Sequence, residues 1–364
     1  MVTLFLCGDV MTGRGVDQIL PHPGAPDIYE PCVRDARDYV ALAQRASGAI
    51  PRPVPPEYIW GDALEELAQA APDARIINLE TSVTTRDEYR SSPDISYRMH
   101  PDNISCLTAA RVQVCVLANN HVLDCGYAGL EETLNTLTAA GLRTVGAGRE
   151  IAEAQRPGII DLPGARRVLV FALGTGSSGI PASWGAAPDR PGIDLLEDLS
   201  TSTADEILQR VGRVKRSGDV VVASIHWGSN WGYEVPRAHV RFAHRLIDGG
   251  VDVVHGHSSH HPRPIEVYRD KLVLYGCGDC IDDYEGIAGF EEFRHDLVLL
   301  YLPTVDPRNG ELLRLRMTPM RLRWMRLNRA SAEEADWLQH TVCRVSAPFG
   351  TAVDLASDGA LVLR

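Results

Sequence analysis

The sequence predicts an α/β protein of layered sheets flanked by helices. Three observations carry this: β-branched apolar runs recur along the chain, stretches of helical period lie between several of them, and the pattern turns almost purely β after Pro262. Runs that are apolar nearly throughout suit strands covered on both faces.

The first strand is expected at residues 2–7. Residues 21–60 are rich in Pro, Arg and polar side chains without a clear period, and read as a long surface excursion or lid. ARIINL at 74–79 and VQVCVLA at 112–118 are the next strands. A helix at 129–140 places Leu130, Leu134 and Leu137 on one face and stops at Gly141. Strands at 168–173, 220–225 and 251–254 follow, with helices at 203–216 and 237–248, the latter opened by Pro236. PIEVY and KLVLYG read as a hairpin turning at Arg269-Asp270, and 296–302 and 311–317 as further strands. Residues 1–322 are expected to form the main domain, and 323–364 a small extension packed on it.

The chain of 364 residues, 45% apolar, can bury a sizeable core. Its formal charge of −12 argues against nucleic acid or an anionic membrane as partner, since phosphate contacts need a basic surface. An anionic substrate stays compatible with that charge, because a bound dication reverses the local field. The amino terminus lacks a basic flank and its apolar run is short, so a cytoplasmic protein is expected. Of eight cysteines, only Cys277 and Cys280 form a C-x-x-C pair. That pair follows a hairpin rather than opening a helix, which weighs against redox chemistry.

The chemistry concentrates at the carboxyl ends of strands, where open α/β sheets place their ligands. Asp9 ends the first strand, Glu80 the second and Asn120 the third; His226 and His257 end two later ones, with His260 close behind. Any one of these is ordinarily a cap or a packed polar group. A succession of ligand types at one topological place is more economically satisfied by a shared cation, because unpaired buried carboxylates and imidazoles are costly. The mixed Asp, Glu, Asn and His set suits one or two divalent ions, with Mn, Zn or Fe expected.

The runs GDVMTGR (8–14), NLETSVT (78–84), LANNHVLDCGYAGLEETLNTLTAAG (117–141), SIHWG (224–228), VVHGHSSHHPRPIEVY (253–268) and LVLYGCGD (272–279) carry a resemblance. In their order and length they resemble the poly-γ-glutamate capsule synthesis (CapA-type) family, over about residues 1–300. That family is similar to calcineurin-like metallophosphoesterases, which implies a four-layer α/β/β/α sandwich with metal at the strand ends. The resemblance implies Asp9 as first metal carboxylate, Glu80 as bridge, Asn120, His226 and His257 as metal ligands, and His121 as proton donor to a leaving group. His260 corresponds to the last histidine of a GHxH element, one residue further along. Met11 stands where the phosphoesterase pattern has histidine, so the resemblance implies one ion or two.

Further candidates surround these. Asp124 either orients His121 or caps the following helix. Arg14 and Arg98 are candidates for an anionic substrate group, against the plainer reading of surface salt bridges. Glu234 is a third, set further from His226 than in the commoner HWG-x-E form. Glu266 reads as a strand residue, His255 as packed and His261 as solvent-facing. The expected substrate is small or peptide-like and anionic, the resemblance implying a γ-glutamyl link. Three functions are weighed: a metal-dependent hydrolase of an amide or phosphate ester, a non-catalytic accessory of polyglutamate synthesis, and a tailoring enzyme of a specialised pathway.

Overall fold

A computed structural model describes residues 1–87 and 95–364. The first strand, β1 (Val2–Val10), lies in the middle of a ten-stranded sheet. Helices α1 (Arg37–Ser47) and α2 (Ala63–Ala70) precede β2 (Ala74–Leu79); β3 (Val114–Val116), α3 (Gly126–Ala139) and β4 (Arg143–Val145) follow. Strands β1 to β4 pair in parallel, as crossovers through helices require.

The second, seven-stranded sheet begins at β5 (Gly158–Leu162) and β6 (Arg166–Thr175). It continues with β7 (Leu195–Leu196), α4 (Thr201–Val214), β8 (Asp219–His226), α5 (Arg237–Asp248) and β9 (Val253–His257). A hairpin, β10 (Ile265–Tyr268) and β11 (Lys271–Leu274), completes it, and its order is β7-β6-β8-β9-β11-β10 with β5 beside β6. The chain then returns to the first sheet. There β12 (Asp279–Ile281) pairs with β1, and β13 (Leu297–Val305) and β14 (Leu312–Arg323) extend it antiparallel. Next come β15 (Arg326–Arg329), α6 (Ala332–Ser346), β16 (Val353–Leu355) and β17 (Leu361–Leu363).

Alternation along the strands shows the layering. Val168, Val170 and Val222 join the core that contains β1 and β2, whereas Leu169, Phe171, Val221 and Ile225 pack with Ile207 and Val211 of α4 and Phe242 and Leu246 of α5. The two sheets therefore face each other, and α4 and α5 cover the outer face of the second. In β2 the successive residues Ile76 and Ile77, which point to opposite faces, are both fully buried. The outer cover on that side includes Leu67 of α2 and Leu130, Leu134 and Leu137 of α3. The expected layered α/β architecture is present.

Two expectations change. Residues 21–60 contain α1 and supply Tyr39, Val40, Ala43, Val54, Ile59 and Trp60 to the core, so they are packed structure rather than an excursion. The boundary at 322 falls inside β14, one residue before its end. Residues 323–364 then carry the sheet onward, since β15 and β17 both pair with β14.

Candidate metal centre

The site forms where the carboxyl ends of parallel strands from both sheets meet. Asp9 stands near the end of β1, fully buried; its carboxylate accepts from Asn78 Nδ2 at 2.7 Å and from the Ser258 amide at 3.1 Å. Beside it lies Asp279, which pairs with Asp9 in parallel register as β12 joins β1. The approach is close: a Cβ on Gly8 would sit 1.5 Å from the Gly278 carbonyl oxygen, and Gly278 has φ +78°. Both positions therefore need glycine.

These side chains make two groups of three, with the ligand atoms of each group within 4.8 Å of one another: Asp9, His226 and His257, and Asp9, His260 and Asp279. Asp9 is the carboxylate they share. Glu80, expected as the bridge, stands beside Asp9, and its Oε1 lies 3.7 Å and 3.9 Å from the Nε2 atoms of His121 and His226. Asn120, expected as a ligand, places its oxygen 2.8 Å from His226 Nε2 and steers that ring.

A chain of hydrogen bonds sets the tautomers. His255 Nε2 lies 2.8 Å from the Cys7 carbonyl, which can only accept, so that nitrogen carries the proton. Burial holds His255 neutral, with its pKa pulled down to about 4. Its Nδ1 then accepts from Ser224 Oγ at 3.0 Å, and Ser224 accepts from His257 Nε2 at 3.0 Å. His257 Nδ1 is left bare, 2.8 Å from Nδ1 of His226, whose own Nε2–H is directed to Asn120. Two imidazole lone pairs thus converge next to Asp9, an arrangement that a cation satisfies.

Electrostatics agrees. Burial first, then the Asp279 charge, pushes Asp9 up to about 7. Burial and the Asp9 charge raise Glu80, and burial raises Asp279. The second oxygen of Asp279 is buried without a hydrogen-bond partner. Burial drives His226 and His257 well below the usual histidine value, into the neutral form that ligates metal. The residues present therefore fit one or two divalent ions with mixed carboxylate and imidazole ligands.

His121 stands at the edge of this cluster, its Nδ1 2.8 Å from Asp124 Oδ2. That oxygen also accepts from the Tyr97 amide at 2.7 Å, and the Tyr97 ring meets the imidazole edge-on at 4.5 Å. The N-cap of α3 is Cys125, whose side chain makes no capping bond, and the bond that Asp124 makes to His121 Nδ1 orients that ring.

Other candidates take structural parts. Arg14 is buried, not a surface group; its guanidinium bonds Asp283, Glu30 and the Tyr39 hydroxyl and lies 3.9 Å from the Tyr39 ring centroid. Arg98 donates to the carbonyls of Arg86 and Ala25, tying chain segments together. The Glu234 side chain is exposed, and its carbonyl accepts from Arg263. His261, expected at the surface, is fully buried against Tyr233 and Phe293. Glu266 is the expected strand residue, bonded to His244 and Tyr275. Cys277 and Cys280 are free and buried, and burial raises the Cys277 thiol, which opposes thiolate chemistry.

The sequence alone assigns no role to Asp279, Asn78 or Asn119. Asn119 bonds Asn78 Oδ1 at 3.1 Å and so braces the residue that holds Asp9. A signal for Asp279 existed: the tripeptide Cys-Gly-Asp occurs at 7–9 and again at 277–279.

Residues 3–284 match the family described as "Bacterial capsule synthesis protein PGA_cap". The chain belongs to the PGA_cap family. A Mycobacterium tuberculosis relative named "Probable polyglutamine synthesis accessory protein" is 51% identical over 362 residues, 99% of this chain and 95% of its own. The "PGA biosynthesis protein CapA" of Bacillus subtilis is 26% identical over 278 residues, 76% of this chain and 62% of its own. The "Capsule biosynthesis protein CapA" of Bacillus anthracis is 23% identical over 286 residues, 78% of this chain and 60% of its own. Every member of both ligand groups lies within the matched range.

Proposed function

We propose that this PGA_cap protein is a metal-dependent hydrolase that uses water to cleave an amide, γ-glutamyl or peptide-like, or a phosphate ester. The observation that carries the reading is the pair of three-residue ligand groups joined at Asp9, set beside a histidine already held by a carboxylate. His226 and His257 would hold one ion and His260 and Asp279 a second, with Asp9 between them; Mn, Zn or Fe suits the donors. When bound, such ions polarise the centre attacked and bring the pKa of water towards ~7.

The chain's own residues do the rest. Asp124 accepts the His121 Nδ1–H, which leaves Nε2 facing the cluster. From there the imidazolium hands its proton to the departing nitrogen or oxygen, and Asp124 stabilises the charged ring while it exists. Asn78 fixes the rotamer of Asp9, and Ser224 that of His257. The expected substrate is a small or peptide-like anion, met by cations at the cluster rather than by free arginines. Among the described residues no helix is long and apolar enough to cross a membrane.

A second reading has its own support. The Mycobacterium tuberculosis relative is named an accessory protein of polyglutamine synthesis. On that reading the cluster binds polymer carboxylates without turnover. Metal-loaded protein assayed against phosphodiester and γ-glutamyl panels separates the two. The hydrolase reading expects His121→Ala to keep its metal and lose roughly 10²–10⁴ in rate. No turnover with any divalent ion, alongside retained oligoglutamate binding, would favour the accessory role.

A further inference from the structure

A cavity of about 340 Å³ opens beside the metal cluster, and His260 belongs to both. Its walls are strongly apolar, with Pro31, Val33, Trp231, Tyr284, Ile287 and Phe290 among them. The Trp231 and Phe290 rings stack with centroids 3.9 Å apart and planes 3° from parallel. Ile287 and Phe290 remain 37% and 40% exposed, and Ile95 on the same wall 46%. Exposed apolar side chains gathered at one place mark a binding surface.

The charge of the cavity excludes one class of ligand. Among the described residues of its wall Arg14 is the only lysine or arginine, and that guanidinium is taken up by Asp283, Glu30 and Tyr39. Glu30 adds a carboxylate of its own to the wall. A polyglutamate segment, with a carboxylate on every unit, would find no free lysine or arginine among these described wall residues and would desolvate its charges without return. A flat apolar group finds rings to stack on. A cavity of about 150 Å³ accepts benzene, so this one has room for roughly a bicyclic ring.

We propose that the cavity is a specificity pocket for an aromatic group of a small substrate, seated against Trp231 and Phe290 while its anionic, reacting end lies at the metal cluster. This deepens the hydrolase reading and rests on it for the placement of the reacting end.

The test uses the full chain loaded with manganese, with metal uptake measured separately. Affinities for naphthylmethylphosphonate, methylphosphonate and tri-γ-glutamate are compared by calorimetry. The aromatic phosphonate should bind at least about tenfold more tightly than the methyl compound. Phe290→Ala and Ile287→Asp change partly exposed side chains, and melting curves check their folding. Each should cut that preference by about threefold to tenfold and leave methylphosphonate unchanged. Equal affinities for the two phosphonates, tighter binding of tri-γ-glutamate, or variants without effect would overturn the pocket. So would a dimer in sedimentation that Ile287→Asp dissociates, since a second copy would then cover the face. Naphthylmethanol, which has no anionic end, separates this idea from the hydrolase reading. Its binding to metal-free protein, weakened by Phe290→Ala, supports the pocket even if no substrate turns over. Turnover without any preference for a ring leaves the hydrolase reading standing and the pocket refuted.

Discussion

Ser224 carries no charge, yet it decides which nitrogen His257 presents. It stands between His255 and His257, accepting from one and donating to the other. Alanine there removes the acceptor for His257 Nε2–H and frees the ring to carry its proton on Nδ1, the nitrogen that faces His226. Loss of such an orienting partner typically costs about 10- to 100-fold in metal affinity. Ser224→Ala should show a loss of that size in a manganese titration, with an unchanged circular dichroism spectrum; affinity equal to wild type would refute the tautomer assignment. The legibility of the site in sequence follows the same division. Asp9, His226 and His257 could be read because a ligand type sits at the end of an apolar run. Asp279 opens its short strand rather than ending an apolar run, and is brought to Asp9 by pairing across 270 positions, which no local pattern encodes. The bracing amides of Asn78 and Asn119 look like any polar residue near a strand end, and the folded arrangement alone reveals what they hold.

Elements were legible wherever a strong period ran without interruption. The strand at 74–79 and the helix at 237–248 have the expected limits, because the apolar run in one and the amphipathic face after Pro236 in the other both end sharply. Helix α1 was not legible: only Tyr39, Val40 and Ala43 of its eleven residues are buried, and Pro and Arg surround it. Helix α6 lies in the expected extension, and Ser331 and Glu334 form a reciprocal capping box at its start. Ser331→Ala should cost about 0.5–2 kcal/mol in urea unfolding. Because β15 and β17 belong to the large sheet, the whole chain should unfold in one transition at a lower midpoint. A separate early transition would show that residues 323–364 fold as an independent unit.

Across the whole molecule, buried titratable groups pull stability in opposite directions. Burial lowers His239 and His255 to about 4 from 6.5. Between those values the unfolded chain binds more protons, so their contribution is complete above about 6.5 and is lost as pH falls towards about 4. Asp9 acts oppositely in metal-free protein. Raised to about 7, it is protonated in the fold while ionised in the unfolded chain, and this contribution fades as pH rises. A variant isolates the first effect. His239 stacks on Trp227 with centroids 4.5 Å apart, and His239→Gln removes its titration. The stability advantage of wild type over His239→Gln should be smaller at pH 5 than at pH 7.5, as measured by urea midpoints. An advantage independent of pH would show that His239 does not titrate as its burial implies.

The central claim, that distant strands gather Asp9, His226, His257, His260 and Asp279 around shared cations, is tested most directly by counting metal. Protein loaded without air with manganese, zinc or iron and then desalted should hold two ions per chain, one for each ligand group. Asp279→Asn should hold one. No uptake of any of these metals, or a count untouched by Asp279→Asn and by His257→Ala, would contradict the account.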